Sequence, residues 1–577
     1  MSGNYRHRRP YGRPADTKGT GGNAGKRGVN DGAAAAKRDT ARRANLPRRT
    51  AYDVLAAVRD REAYANLLLP QLLAERQLTG RDAALATELA YGTLRGQGTY
   101  DAVLAACSDR PLDKLDPPVL DVLRLGTHQL LNTRVGAHAA VATSVDLAKS
   151  VIGPRVSGYV NAVLRRVAMR DLDSWLAIVA PDPRDGRDAS LATRYSHPAW
   201  IVAAYRAALG DAADAAPRSA AVAVDSSAHP DVENYPPSAP AEAEAAADAP
   251  AEAEAASGAG PTGGADAATE LEAALAAGNA RPKVTMAAFP AGPPREDVMP
   301  ADAEPGRWSP YAFTLKSGDP SPLIETGAAA VQDEGSQLAA IALYGAPLQG
   351  QGNGATERWL DMCAGPGGKA RLLYGLAQAP RAALTAAELH PHRAVLVRDA
   401  LTRASRRAGA SAASALSAQG EEAPGQGRPA TEFEVVVADA TRPPWPDGTF
   451  DRVLLDAPCT GLGALRRRPE ARWRKSEADL EGLTALQRDL LRSALAAVRP
   501  GGVVAYVTCS PVPAETSAVV TDVAASVPGT ELLDTPQVLG DIPDVAASDP
   551  RFAQLWPHRH GTDAIFIALL RRTGALQ

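Results

Sequence analysis

Apolar positions between residues 45 and 175 recur at three- and four-residue spacing, the period of an amphipathic helix. The positions are Val54, Leu55 and Val58, then Leu85 and Leu89, then Val119, Val122 and Leu123, then Val160, Val163, Leu164 and Val167. Pro117 and Pro118 stand together ahead of one such run, as expected at the start of a helix, where proline is tolerated. The pattern predicts a compact all-helical domain over residues 46–175, whose surface arginines either face solvent or bind RNA.

From residue 355 onward the pattern changes to short apolar runs separated by helical segments. The runs cover residues 358–362, 383–388, 434–438, 453–456, 503–507 and 564–568. We interpret them as strands, and Arg499-Pro500-Gly501-Gly502 as an exposed turn before the fifth strand. The alternation predicts a doubly wound, largely parallel sheet in an α/β Rossmann-like domain over residues 346–577. Ligands in such sheets bind at the carboxyl ends of the strands.

The net charge of -4 hides a strong asymmetry along the 577 residues. Residues 1–45 are rich in Arg, Lys and Gly, whereas residues 210–280 are rich in Ala, Asp, Glu and Pro. Neither segment can bury enough apolar surface to fold alone. We predict a disordered basic tail over residues 1–45, which either follows a phosphate backbone or is a solvated extension. We further predict a connecting subdomain over residues 176–345, interrupted at about 210–280 by a disordered acidic insertion, for which a helix remains an alternative.

The chain contains only four cysteines. A chain of this length has ample core without disulfides, and the start of the sequence shows no secretory signal. We therefore expect a cytoplasmic protein with reduced thiols. We expect no metal, because no Cys-x-x-Cys pair or histidine cluster accompanies the cysteines. We expect no membrane segment either, because no apolar run approaches the length of a span.

Polar and glycine-rich turns follow the predicted strands. The first strand leads into Cys363, Ala364, Gly365, Pro366, Gly367, Gly368 and Lys369. Glycines in such a loop let the backbone approach a ligand closely. Glu388 follows the second strand, where a carboxylate can accept hydrogen bonds from ribose, and Asp439 follows the third, where it can hold an exocyclic amino group. Together they indicate a nucleoside-cofactor pocket without phosphate clamps, which suits S-adenosylmethionine better than NAD.

Two cysteines stand in turns after the fourth and fifth strands. Asp456-Ala457-Pro458-Cys459 ends one strand, and Thr508-Cys509-Ser510 ends the next. Methylation of carbon 5 of a pyrimidine needs a thiolate that adds to carbon 6 and a second group that assists its release. Two cysteines at neighbouring strand ends fit this requirement, and Asp456 can contact the base. The residues alone do not decide which cysteine attacks.

Residues 361–369, 456–463 and 508–510 resemble the signature motifs of the RNA cytosine-5 methyltransferases. The helical region resembles the NusB-like RNA-binding domain of the RsmB (Fmu, Sun) branch, whose members modify small-subunit ribosomal RNA. Residues 195–200 and 331–338 resemble family elements that lead into the catalytic domain. The resemblance covers nearly the whole chain outside the tail and the insertions.

The resemblance implies an S-adenosylmethionine-dependent RNA cytosine-5 methyltransferase that acts on 16S ribosomal RNA, as a monomer. It implies that Cys509 attacks carbon 6, that Cys459 assists release, that Asp456 contacts the cytosine, and that Lys369 helps near the base. Its implied cofactor residues are Cys363, Ala364, Gly365, Pro366, Gly367, Gly368, Lys369, Glu388, Arg393, Asp439 and Asp456. In DNA cytosine-5 enzymes a Pro-Cys cysteine is the nucleophile, and the Thr-Cys-Ser turn is what favours Cys509. The alternatives are a DNA cytosine-5 methyltransferase and a non-enzymatic NusB-like RNA-binding assembly factor.

The chain departs from the family pattern in several places. Gly365 and Ala370 replace the usual Ala and Thr, which we expect to loosen the loop. A further Ala- and Glu-rich insertion occupies residues 408–430. Arg466-Arg467-Arg468 either meets RNA phosphate or forms a solvated loop. His558 and His560 are expected to be structural rather than catalytic.

Overall fold

The computed structural model describes residues 45–210, 265–350, 356–418 and 431–574, except residues 183, 185 and 317. The predicted basic tail up to residue 44 lies outside the described residues. So do residues 211–264 of the acidic insertion and residues 419–430 of the later one.

The N-terminal region is helical, as its apolar period predicts. Helices α1 to α8 span Leu46–Arg61, Ala65–Glu75, Gly80–Arg95, Gln97–Cys107, Pro117–Asn132, Ala137–Val151, Ser157–Val167 and Leu172–Val179. Val54, Leu89, Val122 and Leu164 are fully buried. The spaced apolar positions therefore form the core of this region, and α8 ends four residues beyond the predicted boundary at 175.

The connecting region combines helices with a small sheet that the sequence pattern did not predict. Its elements are α9 Arg187–Tyr195, α10 Ala199–Ala208, α11 Ala265–Ala277, β1 Val284–Ala288, α12 Arg295–Val298, β2 Glu304–Pro305, β3 Ala312–Leu315, α13 Ser321–Glu325 and β4 Ala329–Val331. Within the described residues the strands form an antiparallel sheet in the order β2-β3-β1-β4. These strands have between two and five residues, too few to show a clear alternation.

Helix α11 lies inside the segment predicted as a disordered insertion. Leu271 and Leu275 are fully buried and pack in one cluster with Ile201, Val202 and Trp556. Over residues 265–277 the structure therefore agrees with the helical alternative and not with the disordered insertion predicted up to about residue 280. Leucines four residues apart form an apolar stripe on the helix, and the Ala- and Glu-rich composition hid that stripe.

The C-terminal region is built on a large twisted sheet. After α14 Glu334–Gly345, its elements are β5 Arg358–Asp361, α15 Gly368–Ala377, β6 Ala383–Glu388, α16 Pro391–Ala418, β7 Phe433–Val437, β8 Phe450–Asp456, α17 Ala471–Arg474, α18 Asp479–Ala497, β9 Val498–Thr508, α19 Ser517–Ser526, β10 Thr530–Leu532, α20 Thr535–Leu539, β11 Ala553–Gln554, α21 Pro557–His560 and β12 Phe566–Arg572. The order in the described residues is β10-β12-β9-β8-β5-β6-β7, with β11 beside β12. Strands β5 to β9 pair in parallel, and β12 is antiparallel to β9. This arrangement confirms the predicted fold class, an all-α region followed by an α/β Rossmann-like domain.

The start of β9 corrects the expected exposed turn at residues 499–502. Of these four residues only Pro500 is exposed. Arg499 is buried, and it donates hydrogen bonds to Asp451 Oδ1 at 2.5 Å and to the carbonyl oxygen of Gln349 at 2.8 Å. The Pro-Gly-Gly sequence is typical of a turn, but this ion pair keeps the chain in the sheet. At the other strands the ends differ from the predicted runs by at most four residues. Strand β8 begins at Phe450 rather than at 453, and β12 spans Phe566–Arg572 rather than 564–568.

A buried ion cluster joins three distant segments. Arg466 donates to Asp333 Oδ2 at 3.0 Å and to Asp563 Oδ1 at 2.6 Å. Arg467 donates to the same carboxylates at 2.8 and 3.0 Å. Burial alone would raise the pKa of Asp333, but the guanidinium groups of Arg467 and Arg466 hold it below its ordinary value. The sequence predicted that residues 466–468 either meet RNA phosphate or form a solvated loop. Both predictions are wrong at Arg466 and Arg467, and of the three arginines only Arg468 is exposed.

Asp333→Ala is expected to destabilise the fold by about 3–5 kcal/mol, because it removes one of the two carboxylates that neutralise the buried Arg466 and the half-buried Arg467. The unfolding midpoint in a thermal scan measures the effect. The matched control is Asp489→Ala, which removes an exposed carboxylate that pairs with Arg492 and should change stability by less than about 1 kcal/mol. Equal midpoints for the two variants would contradict the assigned role of the cluster.

The same stretch of chain also anchors the helical region to the sheet domain. Glu470 Oε1 accepts a hydrogen bond from the amide of Ala65 at 3.3 Å. Arg474 donates to the carbonyl oxygen of Ala63 at 2.5 Å. Arg472 is fully buried and donates to the carbonyl oxygen of Ser196 at 2.9 Å. Residues 466–474 thus join the helical, connecting and sheet regions directly after the turn that carries Cys459.

Candidate active site

The turns after β8 and β9 bring two cysteines together. Cys459 Sγ and Cys509 Sγ lie 3.4 Å apart. Two backbone hydrogen bonds tie the turns to each other, from the Ala457 amide to the Val507 carbonyl and from the Gly463 amide to the Cys509 carbonyl, each at 2.8 Å. Because β8 and β9 are parallel neighbours, their carboxyl ends meet at one edge of the sheet. The two thiols therefore face a common space.

A charged pair lies beside these thiols. Lys369, in the first turn of α15, donates to Asp456 Oδ2 at 2.7 Å. Burial lowers the pKa of Lys369, but Asp456 more than offsets this effect and the pKa stays above its ordinary value. The ammonium group therefore remains charged next to the cysteines.

The surroundings of the two cysteines differ, and the difference favours the thiolate on Cys509. The hydrogen bond from Cys459, together with the charges of Lys369 and Arg468, lowers the pKa of Cys509 against the opposing effects of burial and Asp456. The hydrogen bond to Cys509 and burial raise the pKa of Cys459 well above its usual value, and the Glu515 carboxylate adds to this effect. A lowered pKa makes a thiol a better nucleophile near neutral pH. The lower pKa of the pair therefore belongs to Cys509 and the higher one to Cys459.

Lys369→Met is expected to raise the pKa of Cys509 by about one unit, because it removes a cation and leaves the Asp456 carboxylate unopposed. Alkylation of Cys509 by iodoacetamide, followed by peptide mass spectrometry over a pH series, reports this pKa. The control is Lys149→Met, which removes an exposed lysine paired with Asp146 on α6. If the alkylation profile did not move for Lys369→Met, Lys369 would have no electrostatic role at the thiol.

The glycine-rich loop after β5 is held against β6 and α16. The Gly365 amide donates to Glu388 Oε2 at 3.1 Å, and Arg393 Nη2 donates to the Gly365 carbonyl at 2.8 Å. A Cβ atom at Gly365 would lie 2.1 Å from Glu388 Oε2. Gly365 therefore permits a close contact with Glu388, which runs against the expectation of a looser loop. Gly367 has φ +112, in the left-handed region that favours glycine, just before α15 begins.

The other sequence-predicted residues lie at the same edge of the sheet. Cys363 follows β5 with its thiol pKa raised, chiefly by burial, and Ala364 donates its amide to the Ala387 carbonyl at 2.9 Å. Pro366 is exposed and Gly368 begins α15. Asp439 is exposed after β7, and its Oδ1 accepts hydrogen bonds from the amide and hydroxyl of Thr441. Asp439 contacts none of the other site residues through these bonds.

Sequence reasoning missed Asp361, the last residue of β5. Its carboxyl group is fully buried, and neither oxygen has a hydrogen-bond partner among the described residues. Burial, reinforced by Asp456, raises the pKa of Asp361 to about 8. An acid as the final residue of a buried strand was the available indication, because a strand end in this fold faces the ligand.

The two C-terminal histidines have structural contacts. His560 is buried; its Nδ1 accepts the Trp556 amide at 2.9 Å, and its Nε2 lies 2.9 Å from the Pro543 carbonyl. His558 Nε2 lies 3.2 Å from Glu270 Oε1 on α11. Neither histidine contacts the cysteine turns through these bonds.

The fold and the site together define a doubly wound α/β domain with a glycine loop, an ion pair and two neighbouring thiols at the carboxyl edge of its sheet, the edge at which such domains bind ligands. Comparison with known proteins agrees with this class. The 16S rRNA methyltransferase RsmB/F family matches residues 352–571, and the NusB family matches residues 45–169.

Similar proteins extend over nearly the whole chain. A Mycobacterium tuberculosis relative, named as a methyltransferase, is 43% identical over 528 residues, covering 91% of this chain and 96% of the relative. Ribosomal RNA small subunit methyltransferase B of Pseudomonas syringae is 29% identical and covers 92% and 97% of the two chains. The crystal structure of PH0851 has the same fold, with a TM-score of 0.63, 20% identity, and coverage of 91% and 98%.

The chain belongs to the RsmB/F family of 16S rRNA methyltransferases and carries an N-terminal NusB domain. This confirms the resemblance drawn from its motifs, and it makes the protein an RNA methyltransferase. Within the described ranges, no helix has the length and apolar character needed to cross a bilayer. The described residues likewise include no cluster of three or more His, Cys, Asp or Glu side chains suited to a metal ion.

Proposed function

We propose that the protein transfers a methyl group from S-adenosylmethionine to carbon 5 of a cytosine in 16S ribosomal RNA, through a covalent bond between Cys509 and carbon 6. The observation that carries this proposal is the pair of thiols at 3.4 Å in which Cys509 is favoured as the thiolate. Carbon 5 of cytosine is a poor nucleophile until a thiolate adds to carbon 6. An activated thiol is therefore the group that this reaction requires.

Asp456 and Lys369 support the addition step. Their side chains are joined at 2.7 Å and stand beside Cys509. Negative charge develops on the cytosine ring as the thiolate adds, and a fixed ammonium group stabilises such charge. Asp456 orients Lys369 and presents its carboxyl group to the edge of the base.

Cys459 assists the release step. Its pKa is raised chiefly by its hydrogen bond to Cys509 and by burial, and the charge of the Cys509 thiolate adds to this. Once Cys509 is bound to carbon 6 it is a neutral thioether, and the effects that come from Cys509 disappear. Cys459 can then lose its own proton to solvent and, as a thiolate, accept the proton that leaves carbon 5. The electrons of that C–H bond reform the ring double bond as the bond between Cys509 and carbon 6 breaks.

The residues around the glycine loop fit S-adenosylmethionine. Glu388 is buried at the end of β6, where its carboxylate can accept ribose hydroxyls, and Arg393 lies 3.5 Å from it. Asp361 offers a buried carboxyl group with no hydrogen-bond partner among the described residues, and a cationic ammonium group bound beside it would lower its raised pKa and pair with the carboxylate. The bound cofactor supplies an electrophilic methyl group on a sulfonium centre. The loop from Cys363 to Lys369, with Asp439 and Asp456, completes the proposed cofactor pocket.

Ribosomal RNA is the proposed substrate because the family and several relatives are described as acting on it. The NusB domain is the proposed RNA-binding part. The cytosine must be unpaired or flipped out to reach the thiolate. A DNA cytosine-5 methyltransferase would attack through its Pro-Cys cysteine, which here is the thiol disfavoured for ionisation. A purely RNA-binding assembly factor would not need an activated thiol.

The test is incubation of the protein with methyl-labelled S-adenosylmethionine and unmodified 16S ribosomal RNA, followed by digestion to nucleosides. We expect the label in 5-methylcytidine, identified by mass spectrometry, and no label in DNA of the same sequence. Label in another nucleoside, label in DNA, or no transfer at all would overturn the proposed function.

A further inference from the structure

A fully buried carboxylate lies beneath both cysteine turns. Glu515, in the short 3-10 turn Pro513–Glu515 after β9, has an exposed fraction of 0%. Its Oε1 accepts the amide of Thr460 at 2.7 Å, and its Oε2 accepts the hydroxyl groups of Thr460 at 2.5 Å and Ser510 at 2.6 Å. Thr460 follows Cys459 in the chain, and Ser510 follows Cys509. One carboxylate therefore holds the residue next to each thiol.

A fourth donor completes the environment of Glu515. Gln487 on α18 donates its side-chain amide to Glu515 Oε1 at 3.2 Å and to the Pro458 carbonyl at 2.7 Å. Backbone amides and side-chain amide N–H groups can only donate, so Oε1 is an acceptor in both of its bonds. Both oxygens of Glu515 thus accept hydrogen bonds, and all of their donors are neutral groups. The hydroxyl of Tyr506 also donates to the Glu515 carbonyl at 2.8 Å and fixes its backbone.

This buried negative charge acts unequally on the two thiols. The pKa of Cys459 is raised first by the hydrogen bond to Cys509 and by burial, and Glu515 raises it further. The cationic side chains of Lys369 and Arg468 instead act on Cys509, after the hydrogen bond from Cys459. Glu515 raises the pKa of Cys459, whereas the two cations lower the pKa of Cys509. Both effects widen the difference between the two pKa values.

We propose that Glu515 is a positioning residue for the thiol pair: it ties the turn of Cys459 to the turn of Cys509 and keeps the shared proton on Cys459. This role rests on the proposed function, because it matters to catalysis only if Cys509 is the nucleophile. Glu515 touches neither thiol directly through its hydrogen bonds. It acts through Thr460, Ser510 and its charge.

The test uses alkylation of the free protein by iodoacetamide, without RNA or cofactor, and compares Cys509 with Cys459 by peptide mass spectrometry from pH 6 to 9. In the wild type we expect Cys509 to react faster near neutral pH. Glu515→Gln keeps the size of the side chain and removes its charge. We expect the ratio of Cys509 to Cys459 alkylation to fall by about tenfold, which corresponds to a change of about one unit in the difference between the two pKa values.

A paired variant covers the case in which Glu515→Gln does not fold. Thr460→Val with Ser510→Ala removes both hydroxyl donors but leaves the carboxylate and its two amide donors, and we expect a smaller fall in the ratio, of about threefold. A wild-type ratio and pH profile in a folded Glu515→Gln protein would overturn the proposal. If that protein is unfolded, an unchanged ratio in the double variant would overturn it.

The alkylation readout separates this inference from the proposed function. If the ratio responds as expected but the wild type methylates no cytosine, the proposed function fails and the positioning role stands. If methyl transfer is normal but the ratio does not respond, the positioning role fails alone. In the transfer assay, Glu515→Gln should also change the pH dependence of the rate, whereas a purely structural role would lower the rate at every pH alike.

Discussion

Cys509→Ala is expected to reduce methyl transfer to cytosine by at least about 1,000-fold, because the neighbouring thiol of Cys459 has a raised pKa and is a poor replacement for the nucleophile. Cys509 stands directly after β9, with its thiol beside Cys459, and the pKa of Cys509 is lowered first by the hydrogen bond from Cys459. Alanine removes the sulfur and leaves the backbone contacts of the turn in place. The rate is measured with labelled S-adenosylmethionine and ribosomal RNA under single-turnover conditions.

The matched control for this variant is Cys107→Ala. Cys107 is buried in the helical region at the end of α4. Its replacement removes a buried thiol without touching the strand-end turns, and we expect the transfer rate to stay within about twofold of the wild type, the change usual away from special sites. Equilibrium dialysis should show that Cys509→Ala still binds the cofactor. A Cys509→Ala rate within tenfold of the wild type would contradict the assignment of the nucleophile.

Cys459→Ala is expected to lower turnover by about 100-fold, as loss of a general base does, while a covalent protein–RNA complex accumulates. Addition and methyl transfer need Cys509, whereas release needs a group that accepts the carbon-5 proton. The complex should survive denaturing gel electrophoresis as a band of reduced mobility. The wild type, Cys107→Ala and Cys509→Ala should not accumulate this band. A Cys459→Ala protein that turns over normally and forms no complex would contradict the release role.

Cys459→Ala should also shift the pH dependence with which the covalent protein–RNA complex forms. The hydrogen bond from Cys459 is the largest cause of the lowered pKa of Cys509. Its loss raises the pKa of Cys509, so the rate of complex formation should reach its plateau at a higher pH than single-turnover transfer by the wild type. Adduct bands quantified at several pH values measure this shift. A profile that coincides with the wild-type transfer profile would show that the two thiols are not hydrogen-bonded in solution.

The main lines of the fold and the cysteine turns could be predicted from the sequence. Alternating apolar runs mark the strands, and parallel neighbouring strands must end at one edge of the sheet, so the turns of Cys459 and Cys509 were expected to share one site. The structure places the two sulfurs 3.4 Å apart there. Local patterns were sufficient for the strands and the turns, and the parallel pairing of neighbouring strands accounts for the meeting of two turns that lie 50 residues apart in the chain.

Features that depend on distant contacts could not be predicted. Asp333, Arg466 and Asp563 are separated by about a hundred residues or more and become an ion cluster only in the folded chain. Glu515 looks in the sequence like any acid after a strand, and its burial is decided by Thr460 and Gln487 from two other segments. A local sequence pattern does not distinguish a solvated charge from a buried one with partners.

The contacts of residues 466–474 connect the site to the rest of the protein. Gly463, in the turn of Cys459, accepts the Ala564 amide at 3.0 Å, and a Cβ atom on Gly463 would lie 2.0 Å from the Ala564 carbonyl oxygen. Three residues later the chain enters the ion cluster, and then the contacts with Ala63 and Ala65 of the helical region. The helical region is therefore attached to the same stretch of chain that positions one of the thiols.

The central claim is that Cys509 forms the bond to the target base. The most direct measurement is mass spectrometry of the covalent complex isolated from Cys459→Ala after incubation with S-adenosylmethionine and ribosomal RNA, with nuclease and protease digestion. We expect a peptide that contains Cys509 carrying a methylated cytidine nucleotide. A nucleotide attached to any other residue, or a complex of the same yield with Cys509 also replaced by alanine, would contradict it.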